Sequence, residues 1–266
     1  MNSVIITGSE GYIGENLQHY LFNKGIYKVY CFDKKSGNNV EDLEILPEAD
    51  VIIHLAAIPG IQNCEDNPTE AIINNVSASF NLLRLAYKQK IPVYFASSQA
   101  AKDPNSSLYA MTKFTVETEI LRYNELGMKN KILRFSNVYG GYKYLEKKTS
   151  VIANFINNYN NNEPLEIHGD GNQKRDFLHV VDLCEVIYDI YKHSNIKDEI
   201  IDIGTGKEKS IIEIAKTLSN NIKYLKGRDV GCESNFADIS ILEKNCLYIP
   251  KIEKVFHYIK EFKKEI

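Results

Sequence analysis

Short runs of apolar, often β-branched residues alternate with longer segments of mixed polarity through the first half of the chain. The apolar runs have the length of buried parallel strands, which are predicted at 2–7, 27–32, 50–57, 91–96 and 131–135. The intervening segments predict helices that end near residue 23 and that span 69–89 and 105–125. Alternation of this kind is typical of an α/β fold built on a doubly wound parallel sheet.

A glycine turn follows the first predicted strand, with glycines at positions 8, 11 and 14. Gly8 is expected to make the tight turn, and Gly11 is expected to let the backbone approach a pyrophosphate. Gly14 is expected to let the following helix pack closely on the strand. The alternative is a turn that is glycine-rich for structural reasons only, but the position directly after a strand is the context that dinucleotide binding requires.

The second predicted strand ends at Asp33, about twenty residues beyond the glycine turn. An acid at this place accepts hydrogen bonds from the adenosine ribose hydroxyls and disfavours a 2′-phosphate, so NAD is predicted over NADP. Lys34 and Lys35 leave NADP open as an alternative, and a solvated Asp33 in a loop is the structural alternative.

Small or hydroxyl side chains stand where the next strands end. Ala56 and Ala57 end one strand, and Ser97 and Ser98 follow another. Ligands of doubly wound sheets bind at the carboxyl ends of the strands, so these residues are expected to face one crevice together with the glycine turn. His54, inside the strand predicted at 50–57, is interpreted as a packed residue without a functional role.

The rhythm of strands and helices changes after residue 135. A turn at Gly140 and Gly141, a helix near 150–160 and a loop at 168–172 precede a helix at 181–193 and a strand at 199–203, which are predicted to rejoin the main sheet. The sequence therefore predicts a Rossmann dinucleotide-binding domain formed by 1–136 and 179–203. A smaller mixed α/β substrate-binding domain is predicted from 137–178 and 204–266.

Tyr109 and Lys113 lie four residues apart in the predicted helix 105–125 and therefore share a face. A tyrosine alone is a poor base, with a pKa of about 10. A nearby ammonium group favours the phenolate and lowers that pKa, which lets the phenol take a proton from an alcohol or a sugar hydroxyl.

Composition narrows the class of protein. The formal net charge is −3, from 32 basic and 35 acidic residues, and it gives no indication of nucleic-acid or membrane binding. No apolar run reaches the roughly 20 residues of a membrane span, and the chain enters a strand pattern at once, without a signal peptide. The five cysteines form no C-x-x-C pair, which favours free thiols in the cytoplasm, and no metal site is predicted.

Several ordered motifs together resemble the extended short-chain dehydrogenase/reductase family, in its nucleotide-sugar epimerase branch, which includes UDP-glucose 4-epimerases. The resemblance covers residues 1 to about 244. The motifs are Thr7 to Gly14, His54-Leu55-Ala56-Ala57, Asn75-Val76, Ser97-Ser98, Tyr109 with Lys113, Leu133 to Gly140, and Arg175-Asp176-Phe177 with His179, Val180 and Asp182.

The resemblance implies roles for individual residues. Tyr109 would be the acid/base, Lys113 would lower its pKa and hold the nicotinamide ribose, and Ser98 would hydrogen-bond the reacting oxygen. NAD would be bound by Tyr109, Lys113, Gly8, Gly11, Tyr12, Ile13, Gly14, Asp33, Leu55, Ala56, Ala57 and Asn75. The nucleotide-diphosphate sugar would contact Ser98, Asn137, Arg175, Arg228 and Asn235, of which Asn235 would gate the 2-substituent of the sugar. A homodimer through helices near 69–89 and 107–126 is also implied.

Arg175 suits a diphosphate because a guanidinium pairs bidentately with phosphate oxygens. The alternative for Arg175 is a surface salt bridge to Asp170 or Asp176. Arg228 departs from the family pattern, since Arg228-Asp229-Val230 lacks the glycine that usually precedes the acid.

Side chains after Ser98 discriminate among the chemistries of the branch. Gln99 and Ala100 stand where the 4,6-dehydratases carry an Asp-Glu pair, and they cannot do that acid/base work. The Cys and His of the epimerase-reductases are replaced by Gln99 and Ser150. An NAD-dependent 4-epimerase acting on a UDP-hexose is therefore predicted, with an NAD(P)H-dependent 4-ketoreductase as the alternative and a non-catalytic dinucleotide sensor as a third hypothesis.

Two segments are shorter than the family pattern. The link from Ser98 to Tyr109 is abbreviated, with Ala101-Lys102-Asp103 in place of the usual Val-Tyr-Gly. The chain between Asp33 and Asp50 is also short, which predicts a vestigial third strand. Both changes lie near the expected sugar and adenine sites, so they bear on the substrate more than on the reaction.

Overall fold

The computed structural model describes residues 3–142, 144–146, 150–193, 196–226, 236–245 and 247–263. The strands are β1 (Ser3–Thr7), β2 (Lys28–Phe32), β3 (Val51–His54), β4 (Val93–Ser98), β5 (Lys131–Phe135), β6 (Asn137–Tyr139), β7 (Leu165–His168), β8 (Lys174–Arg175), β9 (Phe177–His179), β10 (Ile200–Ile203), β11 (Lys209–Ser210) and β12 (Ile222–Leu225). The helices are α1 (Tyr12–Asn23), α2 (Ile61–Asp66), α3 (Pro68–Ile72), α4 (Ala78–Gln89), α5 (Leu108–Glu125), α6 (Val151–Asn160), α7 (Val180–Lys192), α8 (Ile211–Leu218), α9 (Ser240–Lys244) and α10 (Glu253–Lys260). None of the helices in these ranges is both long and apolar enough to cross a membrane.

The central sheet contains six parallel strands in the order β2-β1-β3-β4-β5-β10. Successive side chains of a strand point to opposite faces, and both faces are covered. Val4 and Ile6 pack in one core with α1 and α7, and Ile5 packs in a second core with α4 and α5. The predicted doubly wound α/β fold is confirmed, and the strand predicted at 199–203 joins the edge of the main sheet as β10.

The abbreviated segment after Asp33 forms two 3₁₀ turns, Lys34–Ser36 and Val40–Asp42. The described residues 34–49 contain no strand, so β2 is the edge of the sheet and the third strand is lost rather than vestigial. The segment still contributes Val40 and Leu46 to the core that contains α4.

Two predicted helices differ in detail from the structure. The helix predicted at 69–89 consists of α3, a π-helical turn at Ile73–Ser77 and α4, and no sequence pattern indicated α2 before it. The helix predicted from residue 105 begins at Leu108, because the Ser107 side chain caps it by accepting from the backbone N–H of Ala110 at 3.2 Å.

Residues after β5 build a third core between α6, α8 and α10. Its strands form three small pairs, which are β6 with β9, β8 with β11, and β7 with β12. Several of its members, including Tyr139, Phe155 and Ile214, are fully or almost fully buried. The predicted boundaries between a dinucleotide-binding and a substrate-binding domain remain a prediction.

Asp176 joins the second half of the chain to the main sheet. Its wholly buried carboxylate accepts hydrogen bonds from the Ser136 hydroxyl, from the backbone and hydroxyl of Thr205, and from the backbone N–H groups of Gly206 and Ala237. Three segments far apart in sequence therefore meet at one acceptor, close to where β5 and β10 end.

Replacing Asp176 with asparagine is expected to lower the free energy of unfolding by about 2–4 kcal/mol, because each hydrogen bond to a charged acceptor contributes about 1.5–3 kcal/mol. The asparagine would present an NH₂ group to hydrogen-bond donors. Guanidinium-induced unfolding measures the change. Asp170→Asn is the control, because Asp170 is exposed and accepts from Asn172 two residues on, as asparagine also can. Equal midpoints for the two variants would contradict this role of Asp176.

Candidate active site

The glycine turn is closely packed against the loop after β3. Gly8 has a φ of +69°, and a Cβ at this position would lie 2.7 Å from the backbone nitrogen of Ala56. A Cβ on Gly14 would lie 2.3 Å from the carbonyl oxygen of Gly8, and one on Gly11 would lie 3.0 Å from the same oxygen. The turn can therefore adopt this shape only with hydrogen in place of a side chain at Gly8 and Gly14, and a side chain at Gly11 would be tightly packed.

A cleft of about 440 Å³ opens in front of this turn, at the carboxyl ends of β1, β2 and β3. Its lining includes half of the twelve residues predicted to bind NAD, namely Gly8, Gly11, Asp33, Leu55, Ala56 and Ala57. The first backbone N–H groups of α1 lie at the glycine turn, and a helix N-terminus of this kind favours an anion such as a pyrophosphate. Because the lining has small side chains and includes Gly11, the residue directly before α1, the cleft fits a dinucleotide.

Asp33 is held at the rim of this cleft. One carboxylate oxygen accepts from the backbone N–H of Glu10 at 2.9 Å, and the other accepts from the backbone N–H of Lys35 at 3.0 Å. Lys35 also reaches back with its ammonium group to the carbonyl oxygen of Glu10 at 3.1 Å. The acid is thus fixed by the turns on both sides of it, with the two lysines that left NADP open lining the same cleft.

Tyr12 and Ile13, both predicted to bind NAD, begin α1 directly after the turn. The Tyr12 hydroxyl donates to the carbonyl oxygen of Gly140 at 2.5 Å, and its ring lies 5.7 Å from the ring of Tyr144. Ile13 packs against the core that contains α1. Since both side chains are used in packing, we expect these two residues to contact NAD through their backbone atoms.

Asn75 lies in the π-helical turn and is 2 % exposed. Its side-chain oxygen accepts from the backbone N–H of Ile58 at 2.7 Å, and its NH₂ donates to the Ile58 carbonyl oxygen at 3.1 Å and to the Thr112 hydroxyl at 3.2 Å. π-Helical turns often occur at functional sites. The side chain therefore fixes the loop at the cleft to the helix that carries Tyr109, a role that the motif alone did not indicate.

Ser98, Tyr109 and Lys113 converge at the carboxyl end of β4. Tyr109, the second residue of α5, is partly buried, and the Ser98 side chain lies near enough to its hydroxyl to lower its pKa. The Lys113 ammonium group donates to the carbonyl oxygen of Ala96 at 2.7 Å and lies 4.8 Å from the centroid of the Phe95 ring. The three predicted catalytic side chains are therefore brought together by one strand and one helix.

Burial dominates the protonation of this group. It raises the pKa of Tyr109 to about 12, against the neighbouring Ser98 side chain, which lowers it. It lowers the pKa of Lys113 to about 8, against the neighbouring Cys64 and Glu117 side chains, which raise it. The Lys113 ammonium group lies 5.9 Å from the Tyr109 ring centroid, and the depressed phenol pKa expected from this lysine does not occur in this geometry.

His54 is packed as the sequence predicted. It is 1 % exposed and lies between the hydroxyls of Thr7 and Ser79, at 2.6 Å from its Nδ1 and 2.8 Å from its Nε2. Burial lowers its pKa to about 3, so the imidazole is neutral. Across the described ranges, no group of three or more His, Cys, Asp or Glu side chains is arranged to hold a metal ion.

Asn137 and Arg175 line a second cleft, of about 410 Å³. The Asn137 NH₂ donates to the backbone carbonyl of Asp176 at 3.4 Å, and one Arg175 nitrogen donates to the carbonyl oxygen of Lys174 at 2.6 Å. Asp176, one of the two acids considered as a salt-bridge partner for Arg175, is instead wholly buried at the junction. Arg228 and Asn235 lie outside the described residues.

Several residues of the second cleft were not predicted from the sequence. Tyr144 and Ser150 share a hydrogen bond of 2.5 Å between their hydroxyls, and His168 and Gln173 line the cleft beside them. The glycine-rich loop after Ile167 was the available signal, because such a loop at a strand end commonly accompanies a binding site.

The family model for the NAD dependent epimerase/dehydratase family matches residues 4–204. A protein of Methanocaldococcus jannaschii named "Putative UDP-glucose 4-epimerase" is 30% identical over 256 residues, 83% of this chain and 83% of that protein. The UDP-N-acetyl-alpha-D-glucosaminuronate decarboxylase of Bacillus cytotoxicus is 29% identical over 252 residues, 80% of this chain and 78% of that protein.

A solved structure supports the same relationship. The UDP-N-acetylglucosamine 4-epimerase from Methanobrevibacter ruminantium M1, in complex with UDP-N-acetylmuramic acid, has a TM-score of 0.86 and 25% identity, and the match covers 98% of this chain and 96% of that one. Because the family model matches more than half of the chain, the protein belongs to the NAD dependent epimerase/dehydratase family, which confirms both the family and the NAD cofactor predicted from the motifs.

Proposed function

We propose that the protein is an NAD-dependent nucleotide-sugar 4-epimerase that acts on a UDP-hexose. The observation that carries the proposal is the convergence of Ser98, Tyr109 and Lys113 at the end of β4. The 4-epimerases among its relatives support the reaction, and their UDP-sugars support the substrate class.

The reaction oxidises and then reduces one carbon of the sugar. Tyr109 removes the proton of the 4-hydroxyl group, and Ser98 hydrogen-bonds the same oxygen. Bound NAD would supply the hydride acceptor and donor for C4, and return of hydride to the opposite face of the sugar inverts that carbon. Asn137 and Arg175 hold the diphosphate while the 4-keto sugar turns, and Tyr109 then gives the proton back.

Lys113 has two parts in this mechanism. With a pKa of about 12 in this geometry, Tyr109 is protonated at neutral pH, so it is ready to donate but not to accept a proton. The Lys113 ammonium group, one helical turn away, is the positive charge that favours the phenolate once it approaches the hydroxyl. We also propose that Lys113 binds the nicotinamide ribose. The glycine turn would bind the pyrophosphate, and Asp33 would bind the adenosine ribose.

An isotope experiment tests internal hydride return. UDP-glucose labelled with deuterium at C4 is incubated with the protein, and the deuterium content of the 4-epimer is measured by mass spectrometry. We expect the label to stay at C4 of the product. Loss of the label to solvent or to free cofactor would contradict the proposal.

Other activities of the family are separated by what the reaction consumes and releases. A 4-ketoreductase, which would use the same Ser98, Tyr109 and Lys113, consumes added NAD(P)H stoichiometrically, and an epimerase does not. A decarboxylase, as in the Bacillus cytotoxicus relative, would release CO₂ from a UDP-uronate. Gln99 and Ala100 lack the carboxylates that a 4,6-dehydratase would need beside Ser98. UDP-glucose and UDP-N-acetylglucosamine compared as substrates test the tolerance for a 2-substituent.

Replacing Asp33 with serine is expected to weaken NAD binding by about tenfold or more, since a charged hydrogen bond contributes about 1.5–3 kcal/mol. The same change should narrow the preference for NAD over NADP, because Lys34 and Lys35 remain at the rim and can bind a 2′-phosphate. Calorimetric titration of the ligand-free variant with each cofactor measures the ratio of the two dissociation constants. An Asp42→Ser variant is the control, and an unchanged ratio in Asp33→Ser would contradict the assignment.

A homodimer and a cytoplasmic location remain proposals. Large apolar side chains are exposed along α3 to α5 and the π-helical turn, which supports pairing of two copies through this surface. They are Ile72, Ile73, Phe80, Met111 and Phe114, each between 36% and 43% exposed. Light scattering should give twice the chain mass of 30.4 kDa, and a single chain mass at micromolar concentration would argue against the dimer.

A further inference from the structure

Glu117 is a buried carboxylate that the proposed reaction does not use. It lies on α5, one turn after Lys113, and is 2 % exposed. Arg134 binds it through two nitrogens, at 2.9 Å and 2.6 Å, and the Ser97 hydroxyl donates to it at 2.5 Å. A buried ion pair of this kind is weak evidence for a purely stabilising role, because the cost of desolvation opposes the attraction.

Three successive turns of α5 contact three successive residues of β4. Tyr109 lies beside the Ser98 side chain, Lys113 donates to the carbonyl oxygen of Ala96, and Glu117 accepts from Ser97. Residues four apart lie on one face of a helix, so these contacts fix both the position of α5 along the strand and its rotation. Of these three helix residues, Glu117 is the one with a negatively charged side chain. It also contacts the next strand, because it pairs with Arg134 of β5.

We propose that Glu117 is a positioning residue of the active site, which fixes the register between α5 and the end of β4 and keeps the neighbouring Lys113 in its ammonium form. The inference rests on the proposed function, because it takes Tyr109 and Lys113 as the acid/base pair. It adds to that function a residue whose side chain touches neither cofactor nor sugar.

The charged and titratable groups around Lys113 and Glu117 determine whether loss of the Glu117 charge raises or lowers the pKa of Lys113. Lys113 faces Glu117 and Tyr109 on its own helix, Cys64 on α2 and His54 on β3. Glu117 faces Arg134 on β5, and Arg134 lies in register with Asp202 of β10, which is paired with Lys102. Removing the charge of Glu117 takes an anion from Lys113 and leaves Arg134 less compensated, and both changes disfavour the ammonium group.

A direct titration of Lys113 tests the charge effect without turnover. In protein labelled with ¹³C at lysine Cε, the Lys113 resonance is identified by its loss in a Lys113→Met variant, and its shift is followed with pH. We expect the pKa of Lys113 in Glu117→Gln to fall by about half a unit or more relative to the wild type. Glu119→Gln is the matched control, because Glu119 forms the same two-nitrogen pair with Arg122 on the outer face of the same helix.

Kinetics test the positioning. In Glu117→Gln, kcat is expected to fall about tenfold or more with little change in KM, since a misplaced acid/base affects the chemical step. The alkaline fall in kcat should also begin at lower pH, because the ammonium group is lost as the pH rises through the lowered pKa of Lys113. Ser97→Ala removes the contact with the strand but keeps the ion pair, and it should lower kcat several-fold without moving the pKa of Lys113.

The outcomes separate this inference from the proposed function. A folded Glu117→Gln protein with the wild-type pKa of Lys113, or with a lower kcat and an unmoved alkaline limb, would show a structural role only and overturn the inference. If Glu117→Gln does not fold, an undiminished kcat in Ser97→Ala would overturn it. If no UDP-sugar is turned over by the wild type, the proposed function fails, and the Lys113 titration still decides the effect of Glu117.

Discussion

A Tyr109→Phe variant is expected to retain NAD and to bind UDP-sugar with near wild-type affinity, while kcat for 4-epimerisation falls by about 10²–10⁴-fold, the usual contribution of general acid–base catalysis. The change removes one oxygen atom. It deletes the hydroxyl that Ser98 contacts, and it leaves the ring on the same face of α5 as Lys113. Initial rates at saturating UDP-glucose measure kcat, and calorimetric titration measures the binding of the substrate.

Tyr123→Phe is the matched control for this substitution. Tyr123 lies near the other end of α5, is 8 % exposed and packs against the ring of Tyr87, with 5.2 Å between the ring centroids. Loss of its hydroxyl should leave kcat within about twofold, as for most changes outside a site. If Tyr109→Phe and Tyr123→Phe have equal kcat values, the proposed acid/base is idle and the non-catalytic, dinucleotide-sensing hypothesis is revived.

The parts of the site that the sequence could predict depend on local geometry. A spacing of four residues places Tyr109 and Lys113 on one helical face whatever the rest of the fold does. Glycine at positions 8 and 14 follows from a turn that leaves no room for a Cβ. The carboxyl ends of parallel strands meet at one edge of the sheet, so the positions of Asp33, Ala56 and Ser98 follow from the strand pattern.

The parts that could not be predicted depend on contacts between residues distant in sequence. The pairing of Ser97 with Arg134 in the sheet register, and of both with Glu117, is fixed only when β4, β5 and α5 pack together. The use of Asn75 to hold Ile58 depends on a π-helical turn that no local pattern indicated. Periodicity reports which face is buried, but it does not report which polar groups are buried against each other.

The protonation of the site shows the same limit. From the sequence, an adjacent lysine lowers the pKa of Tyr109, because only the charge of the neighbour can be read from the residue types. In the structure, burial has the largest effect on the pKa of both Tyr109 and Lys113. It raises the pKa of Tyr109, which becomes charged when it loses its proton, and it lowers the pKa of Lys113, which is charged while it holds its proton. Burial depends on the packing of α2, α5 and β4 around the pair, which is a property of the whole fold.

Replacing Gly8 with alanine is expected to abolish stable retention of NAD and to lower the free energy of unfolding by about 2–5 kcal/mol. A left-handed backbone costs a residue with a Cβ about 1–2 kcal/mol, and overpacking adds about 1–3 kcal/mol. At Gly8 both apply, because φ is +69° and the Cβ would lie 2.7 Å from the nitrogen and 2.8 Å from the Cα of Ala56, which are backbone atoms that cannot rotate away. The protein would have to move the floor of the cleft proposed to hold NAD or the turn itself.

A second glycine, Gly25, serves as the control that separates the cost of a left-handed backbone from the cost of the steric clash at Gly8. Gly25 has a φ of +80°, and within the described part of the chain no atom outside residues 24–26 lies within 4 Å of the position that its Cβ would take, so Gly25→Ala is expected to carry the left-handed cost alone and to retain NAD. Denaturing the purified variants and measuring released dinucleotide per chain gives retention, and guanidinium unfolding gives stability. The backbone of Gly8 also donates to the carbonyl oxygen of Phe32 at 2.8 Å, immediately before Asp33, so a displaced turn would move both ends of the dinucleotide site. Equal NAD content in the two variants would show that the cleft tolerates the displacement and that the cofactor is not bound against this turn.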